Sequence, residues 1–209
     1  GAHGLPALSD VDLEVHAGEI VGVAGVSGTG QTELAEVLSG MRPVTAGAAT
    51  VDGGEIANAA PGAVMSAGGG RIPEDRHASL VMDLSVSLNL IMEHIDDFAG
   101  RGGLDRGRVE AYARELIGRF DIKARPGDRV ATLSGGNIQK VLLARVLARD
   151  PHVVIVSQPT RGVDVGATEY VRGELLARRR DGAAILLMSE DLDELISLSD
   201  RLVVLYEGQ

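Results

Sequence analysis

The sequence predicts an α/β fold. Near the amino terminus, an apolar run at 19–24 leads into a glycine-rich loop, and 32–38 has the pattern of a helix leaving that loop. Three later apolar runs have the length and composition of strands buried on both faces of a parallel sheet: 153–156, 184–188 and 202–205. Helical stretches lie between them, one around 169–180. Strands that alternate with helices in this way are typical of a parallel sheet covered by helices.

The first element is predicted to be a strand of another kind. Val11, Leu13 and Val15 alternate with charged or polar residues, which predicts a half-exposed antiparallel strand. The Gly68–Gly70 triplet and Pro73 predict a flexible entry into the middle of the chain.

The middle of the chain reads differently from both ends. Residues from about 84 to 149 show helical periodicity without a strong strand signal, and 100–107 is a glycine- and arginine-rich connection. We therefore expect one domain over 1–209, in which 1–74 and 150–209 form the α/β core and 75–149 form a helical subdomain.

Composition narrows the possible functions. The chain has 209 residues, a formal net charge of −10 and 2% aromatic residues, which argues against a nucleic-acid surface. It has no Cys, so it has neither disulfides nor thiolate metal sites. No apolar run approaches the roughly 20 residues that a bilayer span needs, so we expect no direct membrane insertion.

The glycine loop has the spacing of a phosphate-binding loop. Gly25, Gly28 and Gly30 would let backbone N–H groups and a helix N-terminus approach an anion. Gln31 stands where the pattern requires Lys, and Thr32 keeps a hydroxyl that could hold Mg²⁺. Taken alone, this spacing could also arise by chance in a chain with 28 Gly.

Later segments give the loop its context. The chain carries LSGGNIQK at 133–140 and PTRGVDVGA at 159–167, with an apolar strand directly before the second segment. Together with the glycine loop, they resemble the nucleotide-binding domain of an ABC transporter, in particular the second, C-terminal domain of a sugar or nucleoside importer. The resemblance runs from about 7 to 208. It implies a P-loop NTPase (RecA-like) core with an antiparallel β edge and an inserted α-helical subdomain.

The resemblance assigns a nucleotide site with ATP as its ligand. The implied ATP contacts are Gly25, Ser27, Gly28, Thr29, Gly30, Gln31, Thr32, Glu33 and Glu74. Glu74 replaces the Gln of the family, and residues 1–24 contain none of the aromatic side chains on which the family stacks adenine.

The hydrolytic positions of that site are altered. Ser157 replaces the Asp that positions Mg²⁺, Gln158 replaces the Glu that activates water, and Glu190 replaces the His that contacts the γ-phosphate. A carboxamide cannot act as a base, and a carboxylate repels phosphate. No catalytic residue is therefore intact, Thr32 is only a weak metal ligand, and we expect ATP to bind weakly or not at all and Mg²⁺ binding to be doubtful. Any one of these residues alone could be an ordinary strand-end residue.

The other half of the family's site is preserved. The resemblance implies that Ser134, Gly135, Gly136 and Asn137 contact the nucleotide of a partner domain, and that Asp164 lies in a dimer-interface loop. Close approach to phosphate would explain the two glycines. Ser134 as the N-cap of a helix beginning near Asn137 is an alternative that is compatible with this role.

These expectations describe an importer domain that supplies its LSGG segment to a competent site while its own site is hydrolytically inactive. Implied partners are a second nucleotide-binding domain, expected in the same longer polypeptide, and membrane permease subunits. The expected location is the cytoplasmic face of the inner membrane, peripheral through the permease. Sugar and nucleoside cargo both stay open, and the altered site favours nucleosides. Two alternatives remain: an active ATPase in which Glu190 or Glu74 replaces the missing carboxylates, and a soluble ABC protein without a permease.

Overall fold

The computed structural model describes residues 8–25, 28–100 and 102–209, and these form two units. The first unit contains residues up to 74, together with 151–159 and 172–209. The second contains 75–150 and 160–171. The segment 160–171 thus lies in the helical unit, whereas the sequence placed it in the α/β core.

The strands of the described residues are β1 (Ile20–Ala24), β2 (Thr50–Val51), β3 (Gly54–Glu55), β4 (Gly69–Ile72), β5 (Ala99–Gly100), β6 (Gly103–Leu104), β7 (Val153–Ser157), β8 (Ala184–Ser189) and β9 (Arg201–Val204). The α-helices are α1 (Gln31–Leu38), α2 (Pro61–Ser66), α3 (Arg76–Ser79), α4 (Val86–Ile91), α5 (Arg106–Arg119), α6 (Gly135–Leu147), α7 (Val165–Arg180) and α8 (Leu192–Leu198). Two 3₁₀ segments lie at Met92–Phe98 and Val130–Thr132.

A parallel five-stranded sheet organises the first unit. Its strand order is β4-β7-β8-β1-β9, and every neighbouring pair is parallel. Val23 pairs with Met188 across β1 and β8, and Val156 pairs with Leu187 across β7 and β8. The three central strands are apolar and buried because helices cover both faces of such a sheet. The α/β fold class is confirmed.

The last strand departs from the prediction of burial on both faces. Among the described residues, β1 is the one strand that pairs with β9 in this sheet, and Leu202 and Val204 are 45% and 73% exposed. An apolar run identifies a strand but does not reveal whether that strand lies at the centre or at the edge of a sheet.

The predicted amino-terminal strand is also wrong. No strand is present among residues 8–19 of the described chain. Leu13 and Val15 instead pack against the core cluster that contains Val21 and Leu186, so their alternation reflects one-sided packing of an irregular segment. In the first unit, the antiparallel pairing that the structure describes is the two-residue ladder of β2 and β3.

The last two glycines of the triplet begin a sheet strand instead of a flexible entry, and Gly68 lies in the turn before it. β4 begins at Gly69 and pairs with β7, and Gly70 lies opposite Val154. A Cβ on Gly69 would lie 2.8 Å from Val64 Cγ1, so glycine at this position lets α2 pack closely on β4.

The second unit is mainly helical. Ile91, Phe98 and Val109 form a buried cluster, with Leu88 and Tyr112 packed against it. The short antiparallel pair β5–β6 is present although the sequence showed no strong strand signal in this region. Two-residue strands are too short to produce a recognisable alternation.

None of the helices in the described part of the chain is both long enough and apolar enough to cross a bilayer.

Candidate functional site

The altered site residues lie at one edge of the parallel sheet. Gly25 follows β1, Ser157 ends β7, Glu190 follows β8, and Glu74 comes two residues after β4. These four strands are consecutive neighbours in the sheet. Because the carboxyl ends of parallel strands meet at the same edge, the structure brings these residues together where open α/β sheets bind ligands.

Two features of the glycine loop require glycine. Gly28 and Gly30 have φ values of 87° and 111°, which are costly for residues with a side chain. A Cβ on Gly25 would lie 2.8 Å from the Leu205 carbonyl oxygen and 2.8 Å from Thr29 Oγ1. The predicted contact Ser27 lies outside the described residues. Gly25, Gly28 and Gly30 thus stand at positions where a side chain would be crowded or the backbone strained.

The side chain of Gln31, which stands where the phosphate-loop pattern has Lys, is turned back onto β1. Gln31 is the first residue of α1, and its Nε2 donates a 2.8 Å hydrogen bond to the Val23 carbonyl oxygen. Thr32 is exposed, and Glu33 places a carboxylate in the first turn of the same helix. A negative side chain at a helix N-terminus already interacts with the helix dipole that would otherwise favour a phosphate.

Gln158 connects the ends of two strands. Its N–H donates to the Met188 carbonyl oxygen at 2.8 Å, and its Oε1 accepts a 3.2 Å hydrogen bond from the Glu190 N–H. The residue has a φ of 48°, which lies in the left-handed region. Ser157 Oγ lies 3.9 Å from Met188 Sδ. Both positions thus contribute to local structure, and neither offers a carboxylate.

The turn that carries Glu190 is fixed by a buried hydrogen bond. Ser189 Oγ donates to Glu194 Oε2 at 2.7 Å, and both side chains are buried. Asp191 caps α8 by accepting from the N–H groups of Asp193 and Glu194. Glu190 itself is exposed.

Where the resemblance places the magnesium ligands, this edge offers the Thr32 hydroxyl and no carboxylate from Ser157 or Gln158. In residues 8–25, 28–100 and 102–209, no group of three or more His, Cys, Asp or Glu side chains could hold a metal ion. Mg²⁺ is held in nucleotide sites by carboxylates together with phosphates, and at this edge Thr32 supplies a hydroxyl where Ser157 and Gln158 supply no charge.

The N-terminus of helix α6, in the second unit, keeps the side chains that the resemblance implies. It differs in this from the sheet edge that carries Ser157, Gln158 and Glu190. Helix α6 begins at Gly135, two residues before the predicted start near Asn137, and Ser134 is its N-cap. Ser134 Oγ accepts hydrogen bonds from Asn137 Nδ2 at 2.9 Å and from the Asn137 N–H at 3.4 Å. Ser134 is exposed, so this helix terminus is open to solvent.

The two glycines at this terminus differ in their surroundings. Gly136 is buried, and a Cβ there would lie 3.1 Å from Ala167 Cβ and 3.3 Å from Asp164 Oδ2. Packing inside the unit therefore gives a reason for glycine at 136 other than the predicted approach of a phosphate. A Cβ on Gly135 would make only an ordinary contact, 3.5 Å from Arg76 Nη2.

Arg76 is a residue that the sequence analysis did not assign. Its Nη1 donates to the Arg161 carbonyl oxygen and its Nη2 to the Gly162 carbonyl oxygen, each at 2.9 Å. Asp164 follows this loop and accepts a 2.9 Å hydrogen bond from the Ala167 N–H at the start of α7. The arginine thus holds the loop that leads to Asp164 beside the terminus of α6. The sequence signal was the charged run at 74–76, whose partners lie too far along the chain to be recognised from sequence.

Residues 8–161 match a family model described as ABC transporter. The chain belongs to the ABC transporter family. Among its relatives, a glucose import ATP-binding protein of Haloferax volcanii is 49% identical over 99% of this chain. A guanosine import ATP-binding protein of Bacillus subtilis is 40% identical over 99% of it, and a ribose import ATP-binding protein of Streptomyces avermitilis is 42% identical over 97%.

These relatives are considerably longer than the chain. The alignments cover 38% of the glucose protein, 41% of the guanosine protein and 40% of the ribose protein. The ABC transporter chain described above thus spans about two fifths of the length of the curated relatives it matches.

Solved ABC transporter structures share the fold. A nucleotide-free ATP-binding cassette superposes with a TM-score of 0.81 at 21% identity, covering 97% of this chain and 83% of that chain. An ATP-binding subunit of an ABC transporter superposes with a TM-score of 0.80 at 25% identity, covering 100% and 83%. The P-loop NTPase fold of the ABC cassette is confirmed.

Proposed function

We propose that the chain is the second, C-terminal nucleotide-binding domain of an importer ATPase for simple sugars or nucleosides. In this role it supplies Ser134 and the terminus of α6 to a nucleotide held by a partner domain, and it does not hydrolyse ATP at its own site. One observation carries the proposal: the cap of α6 is complete and exposed, whereas the side chains of Gln31 and Gln158 are hydrogen-bonded to the backbone of their own unit.

The α6 terminus has the properties of a phosphate-binding surface. The first N–H groups of an α-helix have no partner inside the helix, and the helix dipole favours a negative charge beside them. Ser134 is exposed at this point and brings a hydroxyl. Arg76 holds the loop that leads to Asp164 against the same terminus.

Charge supports inactivity of the chain's own site. At an effective dielectric constant near 20, a pair of unit charges about 4 Å apart interacts with about 4 kcal/mol, which a neutral Gln31 cannot supply to a phosphate. The carboxamide of Gln158 cannot accept a proton from water. ATP therefore binds weakly or not at all at this edge, and Mg²⁺ has no carboxylate ligand from Ser157 or Gln158.

The names of the relatives support the transport role. They are import ATP-binding proteins for glucose, guanosine and ribose, and each is more than twice as long as this chain. We therefore expect a second nucleotide-binding domain in the same polypeptide and membrane permease subunits as partners. The location that follows is the cytoplasmic face of the inner membrane, where the domain is peripheral through the permease.

The test separates this proposal from an ATPase that uses substitute carboxylates. Release of phosphate from Mg·ATP is measured for the 209-residue chain and for its Glu190→Gln and Glu74→Gln variants. We expect no turnover above background in all three. Magnesium-dependent turnover that either substitution abolishes would show that the site is active and would overturn the proposal. Co-purification of the complete protein with permease subunits, as opposed to ribosomes, distinguishes an importer from a soluble ABC protein.

A further inference from the structure

The hydroxyl of Ser134 is surrounded on its inner side by hydrogen-bond donors. Asn137 Nδ2 lies 2.9 Å from Ser134 Oγ, and the Asn137 N–H lies 3.4 Å from it. A serine oxygen has two lone pairs and one proton. With both lone pairs facing donors, the proton has no acceptor on the Asn137 side.

The orientation of the Asn137 amide follows from a second contact. The backbone N–H of Lys123 lies 2.7 Å from Asn137 Oδ1. A backbone N–H can only donate, so the atom of the amide that faces Lys123 is the oxygen. The amide NH₂ group therefore faces Ser134, and it can only donate there.

The turn that presents the Lys123 N–H is attached to α6. Lys140 Nζ donates to the carbonyl oxygen and to Oδ2 of Asp121, each at 2.9 Å. The same ammonium group lies 4.3 Å from the centroid of the Tyr170 ring. Because Lys140 belongs to the helix that Ser134 caps, these contacts attach the turn to that helix.

We propose that Asn137 is a positioning residue that turns the Ser134 hydroxyl proton outward, toward a phosphate oxygen of the nucleotide on the partner domain. This inference rests on the proposed function, and it assigns Asn137 an inward role in place of the nucleotide contact that the resemblance implied. A hydroxyl that points outward donates to the anion, whereas one that points inward presents its lone pairs and repels it. The amide thus determines the direction of a hydrogen bond that it does not itself make.

The decisive substitution is Asn137→Asp. A carboxylate still accepts from the Lys123 N–H, but its other oxygen now accepts from Ser134 and draws the hydroxyl proton inward. We measure Mg·ATP turnover of the complete protein with its permease. Because a hydrogen bond to a charged group is lost, we expect a decrease of roughly tenfold for Asn137→Asp, similar to that for Ser134→Ala. For Asn137→Ala, which frees the hydroxyl to rotate, we expect a smaller decrease of about threefold.

The new negative charge could also act directly on the phosphate, and the double variant removes this ambiguity. If Asn137 acts through Ser134, Asn137→Asp changes turnover by less than about twofold when Ser134 is already Ala. The control for loss of a helix cap is Ser85→Ala, since Ser85 Oγ caps α4 by accepting from the Leu88 N–H at 3.3 Å. We expect this variant to keep the turnover of the wild type.

The outcomes separate the inference from the proposed function. Unchanged turnover in Ser134→Ala overturns the proposed function and the inference together. A loss in Ser134→Ala with no loss in Asn137→Asp, or a loss that persists undiminished in the double variant, overturns the inference alone. If thermal unfolding shows that Asn137→Asp does not fold, Asn137→Ala decides in the same way, because its loss must disappear in the Ser134→Ala background.

Discussion

The carboxamide oxygen of Gln158 accepts a 3.2 Å hydrogen bond from the backbone N–H of Glu190. These residues directly follow two neighbouring strands of the sheet, β7 and β8. The resemblance to the ABC transporter family implies that each occupies a position where the family carries a catalytic side chain. This hydrogen bond uses the Gln158 carboxamide to connect the ends of β7 and β8, at the position where ATP hydrolysis would need a general base. The same contact could be made by a carboxylate, so the two chemistries can be compared in one scaffold.

Replacing Gln158 by Glu tests whether one carboxylate restores hydrolysis. The glutamate still accepts from the Glu190 N–H, so we expect the free energy of unfolding to change by less than about 1 kcal/mol. We expect no magnesium-dependent phosphate release, because Gln31 and Glu190 still give the phosphates no positive partner. Gln158→Ala is the control and loses about 1 kcal/mol of stability with the bond. Turnover gained by Gln158→Glu alone would contradict our interpretation of the site.

Replacing Gln31 by Lys adds the missing positive charge to the glycine loop. We expect equilibrium titration of the 209-residue chain with labelled ATP to show at least about tenfold tighter binding, a part of the about 4 kcal/mol that one charge pair can supply. Gln31→Met is the control, because it has a similar length, carries no charge and removes the bond to Val23. Equal tightening in both variants would mean that release of this bond, and not charge, limits the affinity.

Glu93 and Arg145 form a partly buried ion pair in the second unit. Arg145 Nε lies 3.0 Å from Glu93 Oε1, and the two side chains are 8% and 23% exposed for Arg145 and Glu93 respectively. Burial raises the pKa of Glu93 and lowers the pKa of Arg145. Glu93→Ala leaves the guanidinium buried without its carboxylate, although Arg145 Nη1 still donates to the Ser79 carbonyl oxygen at 2.8 Å. We therefore expect a loss of about 3 kcal/mol in urea unfolding.

The exposed pair of Glu110 and Arg114, four residues apart on α5, is the matched control. Glu110→Ala removes a pair of the kind that contributes about 0.5 kcal/mol or less. Similar losses in the two variants would show that burial does not strengthen the dependence on Glu93.

The lowered pKa of Asp121 makes the free energy of unfolding depend on pH in the acid range. Hydrogen bonds from Lys123 and then from Lys140 lower its pKa from 3.8 to about 2. A lowered pKa in the folded state stabilises the fold above the unfolded value, and this stabilisation is lost as the pH falls through the folded value. We therefore expect Asp121→Asn to unfold at lower urea concentrations than the wild type at pH 7, with a difference that persists to about pH 4 and narrows toward pH 2. A constant difference from pH 7 to pH 2 would contradict this assignment.

The sequence predicted the central strands correctly because strands buried on both faces consist almost entirely of apolar residues. β7 and β8 are continuous apolar runs, the pattern typical of strands that are buried on both faces of a parallel sheet. β9 has a similar run but lies at the edge of the sheet, and its exposure depends on strand order, which composition does not encode. The prediction for Gly69 was wrong for a related reason. Glycine is needed there because Val64 of α2 packs against it, and the sequence cannot distinguish a glycine needed for close packing from one in a flexible turn.

In the candidate site, too, the residue types were predictable from the sequence and their long-range contacts were not. The sequence shows that residues 31 and 158 are glutamines. It does not show that the Gln31 amide donates to the Val23 carbonyl oxygen, or that the Gln158 amide accepts from the Glu190 N–H. Arg76 contacts a loop 85 residues further along the chain, and no local pattern announces such a contact.

The hydrogen bond from Gln31 Nε2 to the Val23 carbonyl oxygen joins the start of α1 to β1, on either side of the glycine loop, without a ligand. A loop that needs a ligand to satisfy its polar atoms loosens when that ligand is scarce. Here the Gln31 amide supplies the Val23 carbonyl oxygen with a donor whether or not a nucleotide is present. Under the proposed function, the terminus of α6 would therefore be available to the partner domain whether or not the chain's own edge holds a nucleotide.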